Sequence, residues 1–235
     1  MKVREFQKKD PDQAYAIWKH GMSVDLTEQR IDWIFNLFHV RLILLALPLV
    51  VLYCGYGTTP VGFLYAIVPS GLLIAFLRYM VHYTLNGYVA TRTDMLNIQK
   101  HHGKRFLVAE NEDGEIIGTV AYSEKTKIST FKGERIGKKT WEMFSMSVKK
   151  EARRLGVANK MLAELEKRAR GAKIQNIVFT ATTPQVPAVI FYRKCGYDFE
   201  FEDFPALDRG FIGAIIADCF FKFCKMNIIK FHKEI

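Results

Sequence analysis

A short basic segment, RRLGVA at residues 153–158, carries the residue types that hold a phosphate group. It follows an apolar run typical of a strand, and a helical pattern of apolar residues begins directly after it. The backbone N–H groups at a helix start attract anions, and Gly156 would let a ligand approach the chain closely. Five basic side chains surround the segment, namely those of Lys149, Lys150, Arg153, Arg154 and Lys160. A pyrophosphate is the expected ligand, although a basic helix start that binds nothing would show the same residues.

This segment matches neither of the two common phosphate-binding motifs. A Walker loop needs Gly-Lys followed by Ser or Thr, and a dinucleotide fingerprint needs three spaced glycines. The charge distribution nevertheless supports an anion site. The chain has 235 residues and a net charge of +10, and residues 124–173, with 15 basic and 6 acidic side chains, account for +9 of it. A surplus this local fits one polyanionic ligand better than nucleic acid, since it centres on this segment without interleaved aromatic residues.

The elements around this segment alternate between strand and helix. Strand patterns occupy residues 105–110, 115–123, 140–148 and 176–182, and the turn NEDG joins the first two. Helical patterns follow at 155–171 and 186–195, with Gly171 and Gly196 at their ends. Nearer the start of the chain, residues 3–10 are typical of a strand and residues 11–20 of a helix. This order predicts a mixed α/β sheet with flanking helices.

A long uncharged segment interrupts this pattern. Residues 42–77 contain no Asp, Glu, Lys, Arg or His, and Arg41 and Arg78 bracket them. One membrane span needs about 20 apolar residues, so this length fits two limbs joined at the turn sequence GYGTTPVG. We interpret it as a helical hairpin inserted in a lipid bilayer, and a buried hairpin of a water-soluble protein is the alternative. The mean hydropathy of +0.00 excludes a transporter with many spans but not one such insertion.

The hairpin sets the expected domain organisation. Residues 1–41 would supply the first strand and helices of one domain, residues 42–77 the membrane hairpin, and residues 78–210 the domain core. Residues 211–235 would form an apolar and basic tail, either a last strand plus an amphipathic helix lying on the membrane surface or a strand pair that completes the sheet. Both bracketing arginines would then lie on one side of the bilayer, which the positive-inside rule places in the cytosol.

Three motifs together resemble the GNAT acyltransferase superfamily. Arg-x-x-Gly-x-Ala at 153–158 is similar to its acetyl-CoA motif, and RFLVAENEDGEIIGTVA at 105–121 resembles the strand hairpin that precedes that motif. AVIFYRKCGY at 188–197 resembles the family's closing helix. The inserted hairpin and the strand WEMFSMSV resemble the membrane-bound camello-like branch, which includes cysteine-conjugate, aspartate and lysine N-acetyltransferases. The resemblance covers roughly residues 105–200.

The resemblance implies an N-acetyltransferase with a GNAT fold that uses acetyl-CoA and no metal. The amine would attack the thioester directly, without an acyl-enzyme. Glu142 would accept a proton from the ammonium group through water, and Tyr192 would protonate the departing thiolate. For Glu142 the alternative is a surface carboxylate paired with a lysine, and for Tyr192 it is a packed aromatic ring.

The same resemblance implies the residues that hold acetyl-CoA. Backbone groups of the strand near Met146 and Val148 would bind the acyl carbonyl and the pantetheine arm. Gln185 stands where the family usually has Asn. The implied binding residues are Met146, Ser147, Val148, Arg153, Arg154, Leu155, Gly156, Val157, Ala158, Gln185 and Tyr192.

The acceptor is less defined than the donor. The first hypothesis is the amine of an amino acid or amino-acid conjugate, and the second is a protein lysine. A non-catalytic acyl-CoA-binding scaffold is the third, and nucleic-acid binding ranks last. His101 and His102 lack a third metal ligand at a recognisable spacing, so we assign them to a surface loop. Endoplasmic reticulum membrane is the expected location by resemblance, and the sequence indicates no oligomeric state.

Overall fold

The computed structural model describes residues 1–53, 60–124, 139–202 and 219–235, which form a seven-stranded sheet flanked by helices. The strand order is β1-β2-β3-β4-β5-β7-β6. All neighbouring strands are antiparallel except β4 and β5, which are parallel. The expected mixed α/β sheet is therefore confirmed. The strands are β1 Lys2–Glu5, β2 Phe106–Glu110, β3 Ile116–Glu124, β4 Thr140–Val148, β5 Asn176–Thr182, β6 Asp198–Glu202 and β7 Ile228–Glu234.

The helices fall into two groups, one before β2 and one after β4. The first group is α1 Pro11–His20, α2 Leu26–Asn36, α3 Phe38–Val51, α4 Pro60–Thr91 and the short α5 Ile98–His101. The second is α6 Val157–Gly171 and α7 Val186–Lys194. A π-helical turn, Gly21–Asp25, joins α1 to α2 without a break, and 3-10 turns cover Thr93–Asn97, Gly103–Arg105 and Lys150–Ala152.

The first strand is shorter than its pattern predicts. Residues 6–10 leave the sheet because Asp10, which is only 3% exposed, closes a turn before α1. Its carboxylate accepts from the N–H of Gln7 at 2.7 Å and from the guanidinium of Arg4 at 2.6 Å and 3.0 Å. The pairing of β1 with β2 places α3 and α4 in a segment between two neighbouring strands of one sheet.

The C-terminal tail contains a last strand, which both alternatives for this region include. Ile228–Glu234 forms β7, which lies between β5 and β6 and pairs with β5 over its whole length. Ile229 and Phe231 are 2% and 0% exposed, because the apolar face of β7 packs into the main core. The expected last strand is therefore residues 228–234. Residues 211–218 of the expected interfacial helix lie outside the described residues.

Three apolar clusters hold these layers together. The largest packs α6 and α7 on one face of the sheet, around Met161, Leu165 and Phe231. A second packs α1 on the opposite face, around Trp18 and Phe106. The third joins α2, α3 and α4 to residues 220–226, and the indole N–H of Trp33 donates to the carbonyl of Cys224 at 2.9 Å. The helix α2 thus connects the hairpin helices to the end of the chain.

The uncharged segment forms two helices that pack against each other. The hydroxyl of Ser70 on α4 donates to the carbonyl of Leu44 on α3 at 3.4 Å. Part of the expected turn, residues 54–59, lies outside the described residues. No single helix among the described residues combines the length and hydropathy of a membrane span, and one bent pair, 11–36 with 38–51 at 66°, meets that test. The outer face of the hairpin formed by α3 and α4 is apolar and exposed. Leu45 and Leu49 on α3 and Leu72 on α4 are each 66–69% exposed.

Candidate active site

The two parallel strands at the centre of the sheet separate after three residue pairs. β4 and β5 pair from Thr140 with Asn176 to Glu142 with Val178, and both strands continue without further pairing. The backbone groups of residues 143–148 that do not pair with β3 therefore face the opening, where the carbonyl of Val148 accepts from Nε of Arg153 at 3.1 Å. The N–H of Lys149 donates to Ile117 on β3 at 2.9 Å, so the backbone of the preceding Val148 points the other way, toward this opening. The resemblance found in the sequence predicts that the acyl group and pantetheine arm bind in this opening, near Met146 and Val148.

A β-bulge in β4 changes which side chains face each side of the sheet. Thr119 pairs with Ser147 and Ala121 with Phe144, so two residues of β4 oppose one of β3. Ser145, in the bulge, has φ +55°, and its carbonyl accepts from the hydroxyl of Thr119 at 3.1 Å. Beyond the bulge, Met146 packs against the α6 side. The buried Ser147 faces α1, where its Oγ would lie 2.6 Å from a Cβ at Gly21.

Tyr192 places its hydroxyl at this same part of β4. The hydroxyl donates to the sulfur of Met146 at 3.1 Å, and the ring packs against Phe179 and Phe231. Burial raises the pKa of Tyr192 well above its usual value, so the phenol keeps its proton. A thioether is a weak acceptor, which leaves that proton available to a stronger one. The ring is thus a packed aromatic, as one interpretation expected, and the hydroxyl still reaches the opening.

The loop before α6 has the geometry of an anion site. Arg154 and Gly156 have φ values of +65° and +79°, and no side chain caps the N–H groups of the first turn of α6. A Cβ on Gly156 would meet no atom within 4 Å, so the space above the loop is open to a ligand. Val157 is buried, Ala158 is half-buried, and Leu155 is 72% exposed. These features fit the pyrophosphate of acetyl-CoA.

The two arginines of this loop have different surroundings. Arg153 donates from Nη2 to the carboxylate of Asp25 and from Nε to the carbonyl of Val148 at 3.1 Å. Asp25 is 6% exposed and also lies 3.4 Å from the ring of His20. Arg154 is exposed. The Arg153 side chain therefore fastens the loop to the α1–α2 connection and to β4, and Arg154 faces solvent.

Glu142 lies at the last residue pair between β4 and β5. It is half-buried and sits on the same face of β4 as Phe144, opposite the core-facing Trp141 and Met143. Its carboxylate makes no hydrogen bond or ion pair with the residues that the structure describes, which include no lysine partner for it. An unpaired carboxylate at the start of the opening has the position that a general base needs.

Gln185 holds the end of β5 to the start of α7. Its side-chain oxygen accepts from the backbone N–H of Thr182 at 2.8 Å and from the hydroxyl of the same residue at 3.1 Å. This bond orients α7 and therefore Tyr192. The amide nitrogen of Gln185 is the group left for a contact with acetyl-CoA.

A polar network beside the bulge was not expected from the sequence. Asp94 accepts two hydrogen bonds from Arg92, at 2.8 Å and 2.9 Å, and lies 2.7 Å from Nε2 of His102. Arg92 also donates to the hydroxyl of Ser145 at 3.3 Å and lies over the ring of Phe144. His102 lies in a turn, in agreement with its assignment to a loop, but its side chain is only 10% exposed; His101 is exposed.

The charges of this network shift two pKa values. The Arg92 guanidinium lowers the pKa of Asp94 to about 2, and burial lowers the pKa of His102. Near pH 7, Asp94 is therefore expected to be a carboxylate and His102 a neutral imidazole. Among the described residues, no cluster of His, Cys, Asp and Glu side chains has the composition of a metal site.

Comparison with known proteins identifies the class to which this fold and site belong. Residues 73–197 match the acetyltransferase (GNAT) family, so the chain belongs to that family and is an acetyl-CoA-dependent N-acetyltransferase. N-acetyltransferase 8 of Mus musculus is 28% identical over 214 residues, which are 86% of this chain and 86% of the relative. N-acetyltransferase 8F1 of Rattus norvegicus is 29% identical over 206 residues, covering 83% and 85%. These relatives agree with the resemblance found in the sequence.

A solved structure supports the fold independently. A GNAT-family acetyltransferase from Staphylococcus aureus superposes with a TM-score of 0.52, at 12% identity, over 99% of this chain and 98% of that one. At this identity the likeness concerns the fold alone.

Proposed function

We propose that this N-acetyltransferase acts on the primary amine of an amino acid or an amino-acid conjugate, of the cysteine S-conjugate or aspartate type. One observation carries the chemistry: the opening between β4 and β5 brings Glu142, the backbone of residues 146–148 and the hydroxyl of Tyr192 to one end of the sheet. The uncapped start of α6 lies at the end of the connection that follows β4. Acetyl-CoA supplies the acetyl thioester.

Each of these groups has a defined task in the proposed reaction. Glu142 accepts one proton from the acceptor's ammonium group through water, which frees the lone pair of the amine. The nitrogen forms a bond to the acetyl carbon, and the bond from that carbon to sulfur breaks. Backbone N–H groups of β4 donate to the acetyl oxygen while it carries charge. The hydroxyl of Tyr192 gives its proton to the departing sulfur, and the second proton that leaves the nitrogen restores the phenol through water.

The test of this chemistry is the pH dependence of a Glu142→Gln variant. Full-length protein in detergent is incubated with acetyl-CoA and S-benzyl-L-cysteine, L-aspartate or a lysine peptide, and thiol release is measured from pH 6 to 10. Glu142→Gln should lower turnover about 100-fold near neutral pH, and the loss should shrink as the amine deprotonates without help. Glu112→Gln, an exposed glutamate in the β2–β3 turn, is the matched control.

The outcomes separate the competing functions. Turnover confined to peptides would replace the small-molecule acceptor by protein lysine. Tight binding of acetyl-CoA without turnover of any amine would support a non-catalytic scaffold. If Glu142→Gln matches the parent at every pH, Glu142 is not the base.

We also propose that residues 42–77 insert in a lipid bilayer, with the catalytic domain in the cytosol, at the endoplasmic reticulum. The exposed leucines of α3 and α4 support this, because apolar side chains in this density need a nonpolar solvent. The 32 residues of α4 extend about 48 Å, more than the roughly 30 Å of a hydrocarbon layer.

The membrane proposal has its own experiment. The parent should stay in the pellet when membranes are washed with carbonate, and a Leu45→Lys, Leu49→Lys double variant should partly move to the supernatant. Phe201→Lys, which alters an apolar residue 62% exposed on the edge strand β6, is the control and should stay in the pellet. Release of the parent by carbonate would contradict insertion, and lumenal protection of residues 100–200 from protease would reverse the orientation.

A further inference from the structure

Arg30 is a buried arginine that has no partner among the residues that the structure describes. It lies in the middle of α2 and is 7% exposed. Its Nε is fully enclosed and unbonded, and its guanidinium makes no hydrogen bond or ion pair with any residue that the structure describes. Buried arginines are almost always paired, because an isolated charge loses several kcal/mol of hydration when it leaves water. An arginine kept in this state indicates a ligand that supplies the missing negative charge.

The described surroundings of Arg30 are apolar apart from the phenol of Tyr88. Leu26 and Ile34, one turn before and after it on α2, lie on the same face and belong to the apolar cluster that α2 forms with α4. Burial lowers the pKa of Arg30 to about 10, and the nearby Tyr88 phenol of α4 partly opposes that effect. The guanidinium therefore remains positively charged at neutral pH.

Two sets of contacts connect this position to the active site. Tyr88 accepts from Nη1 of Arg92 at 3.1 Å, and Arg92 donates onward to Ser145 in the β4 bulge. On the other side, α2 begins directly after Asp25, the residue that holds Arg153 and the loop before α6. These contacts link the α4-facing side of α2, where Arg30 lies near Tyr88, to the bulge of β4 and to the loop before α6.

The other two arginines of this region are already occupied. Nε and Nη2 of Arg92 donate to the carboxylate of Asp94, and Arg153 is bound to Asp25. Arg30 is therefore the one of these three whose donors are uncommitted. A guanidinium presents parallel N–H groups that match the two oxygens of a carboxylate.

We infer that Arg30 binds the carboxylate of the acceptor and so selects amines that carry one. This inference rests on the proposed function, because it takes the acceptor amine to bind on the Glu142 face of β4. It also separates the two acceptor classes. An amino acid or its S-conjugate brings a free carboxylate next to its amine, and a lysine within a peptide does not.

The experiment compares two probes that differ only in that group. S-benzyl-L-cysteine and 2-(benzylthio)ethylamine share the amine and the benzyl thioether, and only the first has a carboxylate. Binding of each to the full-length parent, Arg30→Met, Arg30→Lys and Arg105→Met is measured by calorimetry with CoA present, so that no reaction occurs. Arg105 is an exposed arginine before β2 and serves as the control.

The parent and Arg105→Met should bind the carboxylate probe roughly 10- to 100-fold more tightly than its decarboxylated analogue. Arg30→Met should lose that preference by weakening only the first probe. Arg30→Lys, which replaces the planar guanidinium by one ammonium group, should retain part of the preference for the carboxylate probe. Without ligand, Arg30→Met should melt at least about 2–4 °C above the parent, because an unpaired charge has been replaced by an apolar chain of similar length.

Two results would overturn the role of Arg30. One is a parent that binds both probes equally, and the other is a preference that survives in both Arg30 variants. An Arg30→Met variant that melts below the parent would show that its charge stabilises the fold and would count against a ligand. A parent that acetylates no amine defeats the proposed function instead, and the calorimetric preference then still decides whether Arg30 binds a carboxylate.

Discussion

The contact between Asp25 and Arg153 should make the binding of acetyl-CoA depend on a residue outside the loop that is proposed to hold it. Asp25 lies in the π-helical turn between α1 and α2, and Arg153 begins the loop in front of α6. Replacing Asp25 by Asn keeps the size of the side chain and removes its charge. Arg153 would then lose its ionic partner, and the loop would be fastened mainly by the bond from Nε of Arg153 to Val148. We expect the loop to become looser and acetyl-CoA to bind more weakly.

The burial of the two partners determines the size of the effect. A hydrogen bond to a charged group contributes about 1.5–3 kcal/mol. The Asp25 side chain is 7% exposed and the Arg153 side chain 38% exposed, so water partly screens the pair and the low end of that range applies. A loss of about 1.5 kcal/mol corresponds to roughly a tenfold rise in the KM for acetyl-CoA. The kcat should change less than threefold, because Asp25 contacts neither Glu142 nor Tyr192.

The assay is steady-state thiol release at a saturating acceptor concentration, followed by a double-mutant cycle with Arg153→Gln. Each single variant should raise the KM for acetyl-CoA, and the double variant should be little worse than either one, with a coupling of about 1 kcal/mol. Glu28→Gln, an exposed acid on the next turn of the same helix, is the control. Additive single effects, or a rise in KM below twofold for Asp25→Asn, would refute a role for this contact in holding the loop.

Three further predictions follow from the geometry of the sheet and its bulge. Tyr192→Phe should lower kcat at least about 100-fold with an unchanged KM for acetyl-CoA, and an equal kcat would exclude the phenol as the acid. Asp94→Asn should lower the free energy of unfolding by about 2 kcal/mol. The reason is that folding lowers the pKa of Asp94 from 3.8 to about 2. The stabilisation by the Asp94 carboxylate is therefore full above pH 4 and disappears toward pH 2. Urea unfolding at pH 7 and pH 2.5 checks it, and an equal difference at both values would contradict it. Gly21→Ala should lower the melting temperature, since the new Cβ would lie 2.6 Å from Oγ of Ser147, and adding Ser147→Ala should restore part of the loss.

Local sequence patterns predict the strands and helices well where each element is bounded by turn residues. β4 and β5 have the predicted limits, because their apolar and β-branched runs end at charged or turn-forming residues. The C-terminal strands were harder to predict for a physical reason. β6 reads DFEFE, an alternation with little apolar content, and β7 pairs with β5 across a long stretch of chain. Which strand a segment joins depends on tertiary packing, and a local pattern does not contain that information.

The residues of the candidate site also differ in whether a local sequence pattern could indicate them. The resemblance to the family makes Glu142, Tyr192 and the loop at 153–158 candidates, because they lie in its motifs or on the strand that leads into one. It does not identify Asp25, Arg30 or Asp94. Asp25 and Arg153 are 128 positions apart, and the importance of Arg30 lies in its burial and missing partner. A pattern of apolar residues on α2 could have indicated that Arg30 faces inward, since Leu26 and Ile34 lie one turn on either side of it.

The helix from residue 11 to residue 36 connects the two halves of the proposed reaction. Gly21 lies against Ser147 on β4, Asp25 binds Arg153 of the loop before α6, and Arg30 is the residue proposed to bind the carboxylate of the acceptor. The π-helical turn carries one residue more than an α-helical turn, as shown by the bond from the N–H of Leu26 to the carbonyl of Gly21. An α-helical turn would rotate every later residue by about 100°, which would turn Asp25 away from Arg153. The extra residue is therefore what allows one helix to contact β4, the donor loop and the acceptor side together. The helix α2 also packs against α3 and α4. A shift of these two helices would therefore move the proposed acetyl-CoA loop contact at Asp25 and the proposed acceptor contact at Arg30 in the same direction.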